Sequence, residues 1–310
     1  MSNIAIYLSS RNNYDMLESV FLKHVDLGGF QLYNIDDASE PEEISKGKEI
    51  CARHNIKFIP NQDRGLQWAA KTMLDNIDDD VEFIVWCTHD TVPMNQDFFK
   101  DLSEKVSTGK LNDFGMVGFN IMGPQNGITN PSQVVGGVCG IIGRAPLMDL
   151  PGRGGWFRST DMKMDWDVWG KPCSIDAPVD MLLMMNVKLF KEHINVSNKY
   201  HLFCAHDDIA MQYLNKNIHN IVLPDFVVWH DQHLKEQANV PVKSARAAKQ
   251  GDSKHFGDYG PHLIYWKETW GWDREDRSTF EAVADRYKDT LIYDTYYHNC
   301  ENGPLKSFDI

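Results

Sequence analysis

The chain predicts an α/β fold built on a largely parallel sheet, and three observations carry that expectation. Through the first third, short apolar runs rich in β-branched and aromatic residues alternate with segments whose apolar residues recur at helical spacing. Helix starts and turns are punctuated between them. At 310 residues the chain has room for one large α/β domain with an appended piece, or for two domains sharing an interface.

"NIAIYL" (3–8) has the content of a buried strand, and Tyr14, Leu17 and Phe21 follow it at helical spacing. "FQLYNIDD" (30–37) reads as a second strand, after which Ser39 and Glu42 set out a capping box ahead of a helix over 41–53. "IKFIP" (56–60) is a third, followed by an apolar stripe of Leu66, Ala69, Ala70, Met73, Leu74 and Ile77. A fourth run, 81–87, breaks off into Thr88, His89 and Asp90. Strands and helices alternating in this way imply right-handed crossovers, and such sheets bind ligands beyond the carboxyl ends of their strands. Asp36, Asp37, His89 and Asp90 all stand at those ends.

Past residue 110 the rhythm loosens. Strands are expected over 114–121, 134–143 and 178–186, with a long Gly- and Trp-rich connection over 151–172. Connections of that length are usually functional or mobile. A helix over 206–217 opens on Asp207 and Asp208, and a last strand over 221–231 ends, like the fourth, in a histidine and an aspartate.

Composition removes several classes. With 42% hydrophobic and 24% charged residues the chain reads as a soluble globular protein. It has no apolar run of ~18 residues to span a bilayer and no basic-then-apolar start, so a cytoplasmic location is expected. Six cysteines without a C-x-x-C pair argue against a zinc knuckle and a disulfide framework. A formal charge of −13 disfavours polyanions on average, although residues 235–255 gather Lys235, Lys243, Arg246, Lys249 and Lys254. A solvated helix face, a flap over a diphosphate and a nucleic-acid contact all fit that segment.

In order and spacing, "IAIYLSSRNN", "YNIDDAS", "NQDRGLQWAAKT", "FIVWCTHDTVP", "PVDMLLMMNVKLF", "HDDIAM" and "VVWHD" resemble the GT-A nucleotide-sugar glycosyltransferases, especially their large inverting family. The likeness covers roughly residues 3–230. It implies a mixed sheet flanked by helices, with a nucleotide-sugar-binding half over 1–110, a catalytic and acceptor half over 111–232 and an extension over 233–310.

By that resemblance Asp90 stands where the family's Asp-x-Asp motif binds a divalent cation, Mn²⁺ or Mg²⁺, although Thr88 replaces the first aspartate. His230 stands where a further metal-binding histidine often lies. A hard cation suits carboxylate oxygen and shares its remaining positions with water and phosphate. Ser9, Arg11, Asp36, Asp37, Arg64, Lys71 and His89 fall where the donor nucleotide would rest. Asp208, with Asp207 as runner-up, matches the acidic pair that supplies the general base; an inverting transfer needs one carboxylate to take the acceptor hydroxyl's proton. Both also suit a helix start, where the dipole favours carboxylates.

Trp156, Trp166 and Trp169 in the long connection, and Trp266, Trp270 and Trp272 near the end, are candidates for an acceptor wall or for core packing. The resemblance implies transfer of a sugar from a nucleoside diphosphate, UDP first, to a glycan hydroxyl. A phage-type enzyme acting on hydroxymethylated pyrimidines in DNA and an inactive nucleotide-sugar-binding module stay open. A sugar-nucleotide pyrophosphorylase is disfavoured, because "LSSRNNYDM" carries no glycine.

Overall fold

The computed structural model describes residues 3–12, 14–122, 134–136, 138–139, 157–158, 171–178, 182–201, 204–230, 259–274, 276–298 and 305–310. Four parallel strands come first: β1 (Ile4–Ser10), β2 (Leu32–Asp36), β3 (Lys57–Pro60) and β4 (Phe83–Cys87). Between them lie α1, formed by Tyr14–Met16, a π turn Leu17–Phe21 and Leu22–His24, then α2 (Pro41–Arg53) and α3 (Leu66–Leu74). β5 (Thr91–Pro93), α4 (Phe98–Ser107) and β6 (Met116–Met122) follow. Three short strands come next: β7 (Val134–Gly136), β8 (Val138–Cys139) and β9 (Phe157–Arg158).

The remaining strands are β10 (Cys173–Ile175), β11 (Ala177–Pro178), β12 (Leu182–Asn186) and β13 (Asn220–His230). α5 (Val187–His193) and α6 (Ala205–Leu214) separate the last two. α7 (Tyr259–Trp270), two short 3₁₀ turns and α8 (Leu291–Tyr297) complete the chain.

The main sheet runs β10-β13-β6-β12-β4-β1-β2-β3. β1 pairs in parallel with both β2 and β4, whereas β12 lies antiparallel between β4 and β6. The sheet is therefore mixed, with helices on both faces, as the resemblance implies, and the parallel pairing expected from the strand–helix alternation holds for β1–β4. It is also continuous from the first strands to β13, so the halves on either side of residue 110 share one sheet.

Two buried clusters explain why the strands read as unbroken apolar runs. Along β1 and β4, Tyr7, Ile84 and Trp86 join one cluster, with α3, α6 and the aromatic residues of α7. Ile6, Leu8, Phe83, Val85 and Cys87 alternate with them into the other, beneath α1, α2 and α4. Successive side chains point to opposite faces, so a strand covered on both sides needs apolar residues at every position.

One local expectation, the capping box, is corrected. No capping box precedes α2: Glu40 is the N-cap residue, without a side-chain cap bond, and Pro41 opens the helix. Ser39 lies one residue too early, and its hydroxyl instead accepts from the Asn12 N–H at 3.0 Å. Proline tolerates that first position because its missing N–H would have no helical partner. Trp266, Trp270 and Trp272 are core residues, at 0%, 6% and 1% exposure, and pack edge to face or tilted against one another. Trp270 also lines a cavity.

Candidate active site

In the order β3-β2-β1-β4, successive crossovers run to one side of β1 until β4 is laid on the other. At such a reversal, open α/β sheets bind ligands in a crevice beyond the carboxyl ends of the strands, here those of β1 and β4. Ser9, Ser10 and Arg11 end β1 there, and His89 and Asp90 follow β4. At the end of β1, the buried Ser10 Oγ donates to Asn34 Oδ1 on β2 at 2.5 Å and lies 2.9 Å from His89 Nε2 after β4. Arg11 is buried, Ser9 half-buried, and Asp90 half-buried in the turn between β4 and β5.

Strand register adds the next group. β13 pairs antiparallel with β5, setting His230 opposite Thr91, the residue after Asp90. Two metal-ligating residue types 140 positions apart in sequence thus end on neighbouring strands at one edge. Among the described residues no three His, Cys, Asp or Glu side chains cluster to hold a metal ion. A hard cation keeps water and phosphate oxygens in most of its positions, so it needs few protein ligands.

Asp36 and Asp37, at the end of β2, differ sharply. Asp36 accepts from the Tyr14 hydroxyl at 2.5 Å and from the Ser39 N–H at 3.3 Å. Burial, then the charge of Asp36, push the Tyr14 hydroxyl well above the usual phenol range. Asp37 Oδ1 accepts from the Gly65 N–H at 2.7 Å and from Asn61 Nδ2 at 2.9 Å, holding the start of α3. Its other oxygen, Oδ2, is buried and has no hydrogen-bond partner among the described residues. A buried acceptor left in that state is costly, so such atoms mark strain or a ligand contact.

Gly65 explains how α3 starts so close to its neighbours. Its φ is +104°, and a Cβ there would lie 2.7 Å from the Cα of His201. The Leu66 N–H donates to the His201 carbonyl, tying α3 to the segment before α6. Arg64 is exposed beside this junction. Lys71, further along α3, forms an exposed pair with Asp75 at 2.7 Å.

The carboxylate pair at the head of α6 is held by distant parts of the chain. Asp208, 2% exposed, accepts from Gln67 Nε2 at 2.9 Å, Gln212 Nε2 at 2.8 Å and Trp270 Nε1 at 2.9 Å. Burial raises its pKa above the usual carboxylate value; the three donors pull it down, and Asp207 adds a smaller upward push. A carboxylate has about four lone-pair positions, so one remains for a further donor. Asp207 forms an ion pair with Arg274 at 2.5 Å, largely shielded from solvent. His206 packs on Trp86 of β4 with ring centroids 4.4 Å apart, fixing this helix start on the sheet.

Asp208 also lines a cavity of about 530 Å³ bounded by α6, residues 195–200, the end of α7 and Arg286 and Tyr287. Neither this cavity nor the clasp from Trp270 and Arg274 was legible in sequence. The tryptophans near the end were the only signal.

Trp156, Trp166 and Trp169 and the basic segment 235–255 lie outside the described residues. No helix among the described residues is long and apolar enough to cross a membrane.

These features define a mixed α/β protein with several of its candidate site residues at the carboxyl ends of its parallel strands. No protein-family model and no curated protein sequence matches the chain. Among solved structures, it is similar to GalNAc-T7 with UDP, GalNAc and Mn²⁺, with a TM-score of 0.49 and 10% identity over 93% of this chain and 58% of that one. It is similar also to the mannosyltransferase PcManGT from Pyrobaculum calidifontis with GDP-Man and Mn²⁺, with a TM-score of 0.47 and 13% identity, covering 82% of this chain and 61% of that one. The chain thus spans less than two thirds of either structure's length. Neither score reaches one half, so the function rests on this chain's own residues.

Proposed function

We propose that the chain is a metal-dependent glycosyltransferase of the GT-A type, moving a sugar from a nucleoside diphosphate, UDP first, to an acceptor hydroxyl with inversion. The observation that carries this reading is the register that sets His230 opposite Thr91, next to Asp90, near the carboxyl ends of β1 and β4, where the strand order reverses.

Asp90 and His230 would hold the divalent cation. Bound there, the cation would neutralise charge on the diphosphate leaving group. Asp37 offers its unpartnered Oδ2 to a donor N–H or hydroxyl, while Gly65 and Asn61 fix the other oxygen and with it the carboxylate's orientation. Ser9, Arg11 and His89 flank the same crevice, and Arg11 supplies a planar cation suited to phosphate or base. Asp36 acts by bracing the β2 end through Tyr14.

Asp208 takes the proton of the acceptor hydroxyl at its remaining lone pair. Three N–H donors stabilise its ionised form, and its raised pKa makes it a stronger base than a solvated aspartate. Asp207, neutralised by Arg274, is the second carboxylate of the pair.

Calorimetric titration of the full chain with UDP, with and without Mn²⁺, tests the donor half. The expected result is UDP binding at least about tenfold tighter with Mn²⁺, and loss of that gain in Asp90→Ala. Equal affinities with and without the metal would remove the metal role and favour a non-catalytic module. Asp208→Asn is expected to keep UDP affinity and to lose transfer; a fully active Asp208→Asn enzyme would reassign the base.

A further inference from the structure

Gln67, in the first turn of α3, is a polar side chain 0% exposed on which three separate parts of the chain converge. Its amide nitrogen donates to Asp208 Oδ2 at 2.9 Å and to the Ala205 carbonyl at 3.0 Å. Its amide oxygen accepts from the Ser197 N–H at 2.7 Å. Both amide hydrogens are thus engaged, and only one orientation satisfies the set. A flipped amide would turn its oxygen on a carboxylate and a carbonyl, and its nitrogen on an N–H.

These bonds fix how Asp208 is turned. Ala205 is the first residue of α6, so the bond to its carbonyl ties α3 to the helix that carries Asp208. Oδ2 also accepts from Gln212 Nε2 at 2.8 Å, whereas Oδ1 accepts from Trp270 Nε1 at 2.9 Å. Each carboxylate oxygen has two lone pairs. Two amides therefore fill Oδ2, and among the described residues the open position belongs to Oδ1.

The start of α3 is itself held in place. The Gly65 N–H donates to Asp37 Oδ1 at 2.7 Å and the Leu66 N–H to the His201 carbonyl at 3.2 Å. Three consecutive residues thus engage Asp37, residue 201 and Asp208, and a side chain locked in this way can orient another. The ionisable groups around Asp208 are Asp207, paired with Arg274, and Lys199, Tyr200, Arg286 and Tyr287, which line the same cavity. Gln67 differs from them in being neutral, so it acts on Asp208 through a hydrogen bond. Burial raises the Asp208 pKa, and the Gln67 amide pulls it back.

We propose that Gln67 is a positioning residue for the transfer, turning Asp208 so that Oδ1 meets the acceptor hydroxyl and stabilising the ionised form that takes the proton. Gln67 itself exchanges no proton. This deepens the glycosyltransferase reading and rests on Asp208 as the base.

Gln67→Met and Gln67→Glu test it in the full chain. Methionine keeps the length and removes all three bonds; glutamate keeps an acceptor for Ser197 but sets a second carboxylate beside Asp208. The Asp208 titration is followed by NMR on protein with ¹³C-labelled aspartate carboxyls, its resonance assigned by loss in Asp208→Asn. The midpoint should rise by at least about half a pH unit in Gln67→Met, as for one lost bond to a charged group. It should rise further in Gln67→Glu, where adjacent carboxylates resist ionising together.

UDP release from UDP-hexoses and UDP-N-acetylhexosamines with Mn²⁺, water serving as acceptor, gives the rate profile. The acid limb of kcat should move with the Asp208 midpoint, lowering kcat there at least about threefold, with KM and UDP affinity unchanged. An unmoved midpoint, or a loss of kcat equal at every pH, would leave Gln67 a merely structural role and overturn the proposal. A moved midpoint beside an unmoved rate profile would remove Asp208 as the base and overturn it from that side, with Gln67's hold on the carboxylate intact. The NMR measurement reads that hold without turnover.

Discussion

Replacing Trp270 by phenylalanine removes one hydrogen bond while keeping an aromatic ring against Trp266 and Tyr287. The lost bond runs from a buried indole N–H to a buried carboxylate at 2.9 Å. Hydrogen bonds to charged groups contribute about 1.5–3 kcal/mol, and neutral ones about 0.5–1.5 kcal/mol. The cost of Trp270→Phe should therefore lie in the upper range where Asp208 is ionised and in the lower range where it is protonated.

The pH dependence has a definite sign. Burial raises the folded pKa of Asp208 above its unfolded value, so the native state holds that proton more tightly. This group's contribution to stability is fully present below the ordinary carboxylate pKa and falls as pH rises through the raised one. Removing a donor raises the folded pKa further, so the decline in Trp270→Phe should be steeper and extend to higher pH. Urea unfolding at neutral pH and at acid pH, with Asp208→Asn as the second arm of a double-mutant cycle, measures it. A coupling of about 1 kcal/mol or more at neutral pH is expected. Equal losses at both pH values with a coupling below about 0.3 kcal/mol would show that the indole packs against Asp208 without supporting its charge.

Gly65→Ala should cost about 1–3 kcal/mol in urea unfolding, since φ is +104° and the new Cβ would meet the backbone of His201. Tyr14→Phe takes a hydroxyl donor from the buried Asp36 and should cost about 1.5–3 kcal/mol in urea unfolding; an unchanged midpoint would refute the bond. Arg274→Gln leaves the shielded Asp207 without its cation and should destabilise by about 1–3 kcal/mol, below the cost of breaking a fully buried pair. Added salt should narrow that difference only slightly, which repeating the unfolding curves at high ionic strength would check.

The sequence by itself determined the elements. The unbroken apolar runs within Ile4–Ser10 and Phe83–Cys87, and helical spacing through Leu66–Leu74, are local signals, because a strand buried on both faces and a helix buried on one leave different apolar patterns. The same signals placed Asp36, Asp37, His89 and Asp90 at strand ends and Asp207 and Asp208 at a helix start. Only the tertiary structure decided what those residues touch. The sequence pattern treats Asp36 and Asp37 alike, yet Tyr14 engages the first and Gly65 leaves one oxygen of the second unpartnered. His230 meets the Asp90 turn because β13 takes one register against β5. Trp270 reaches Asp208 across 62 positions because α7 packs back onto the sheet. Sheet order, register and packing set such contacts between elements, and no local window of sequence contains both partners.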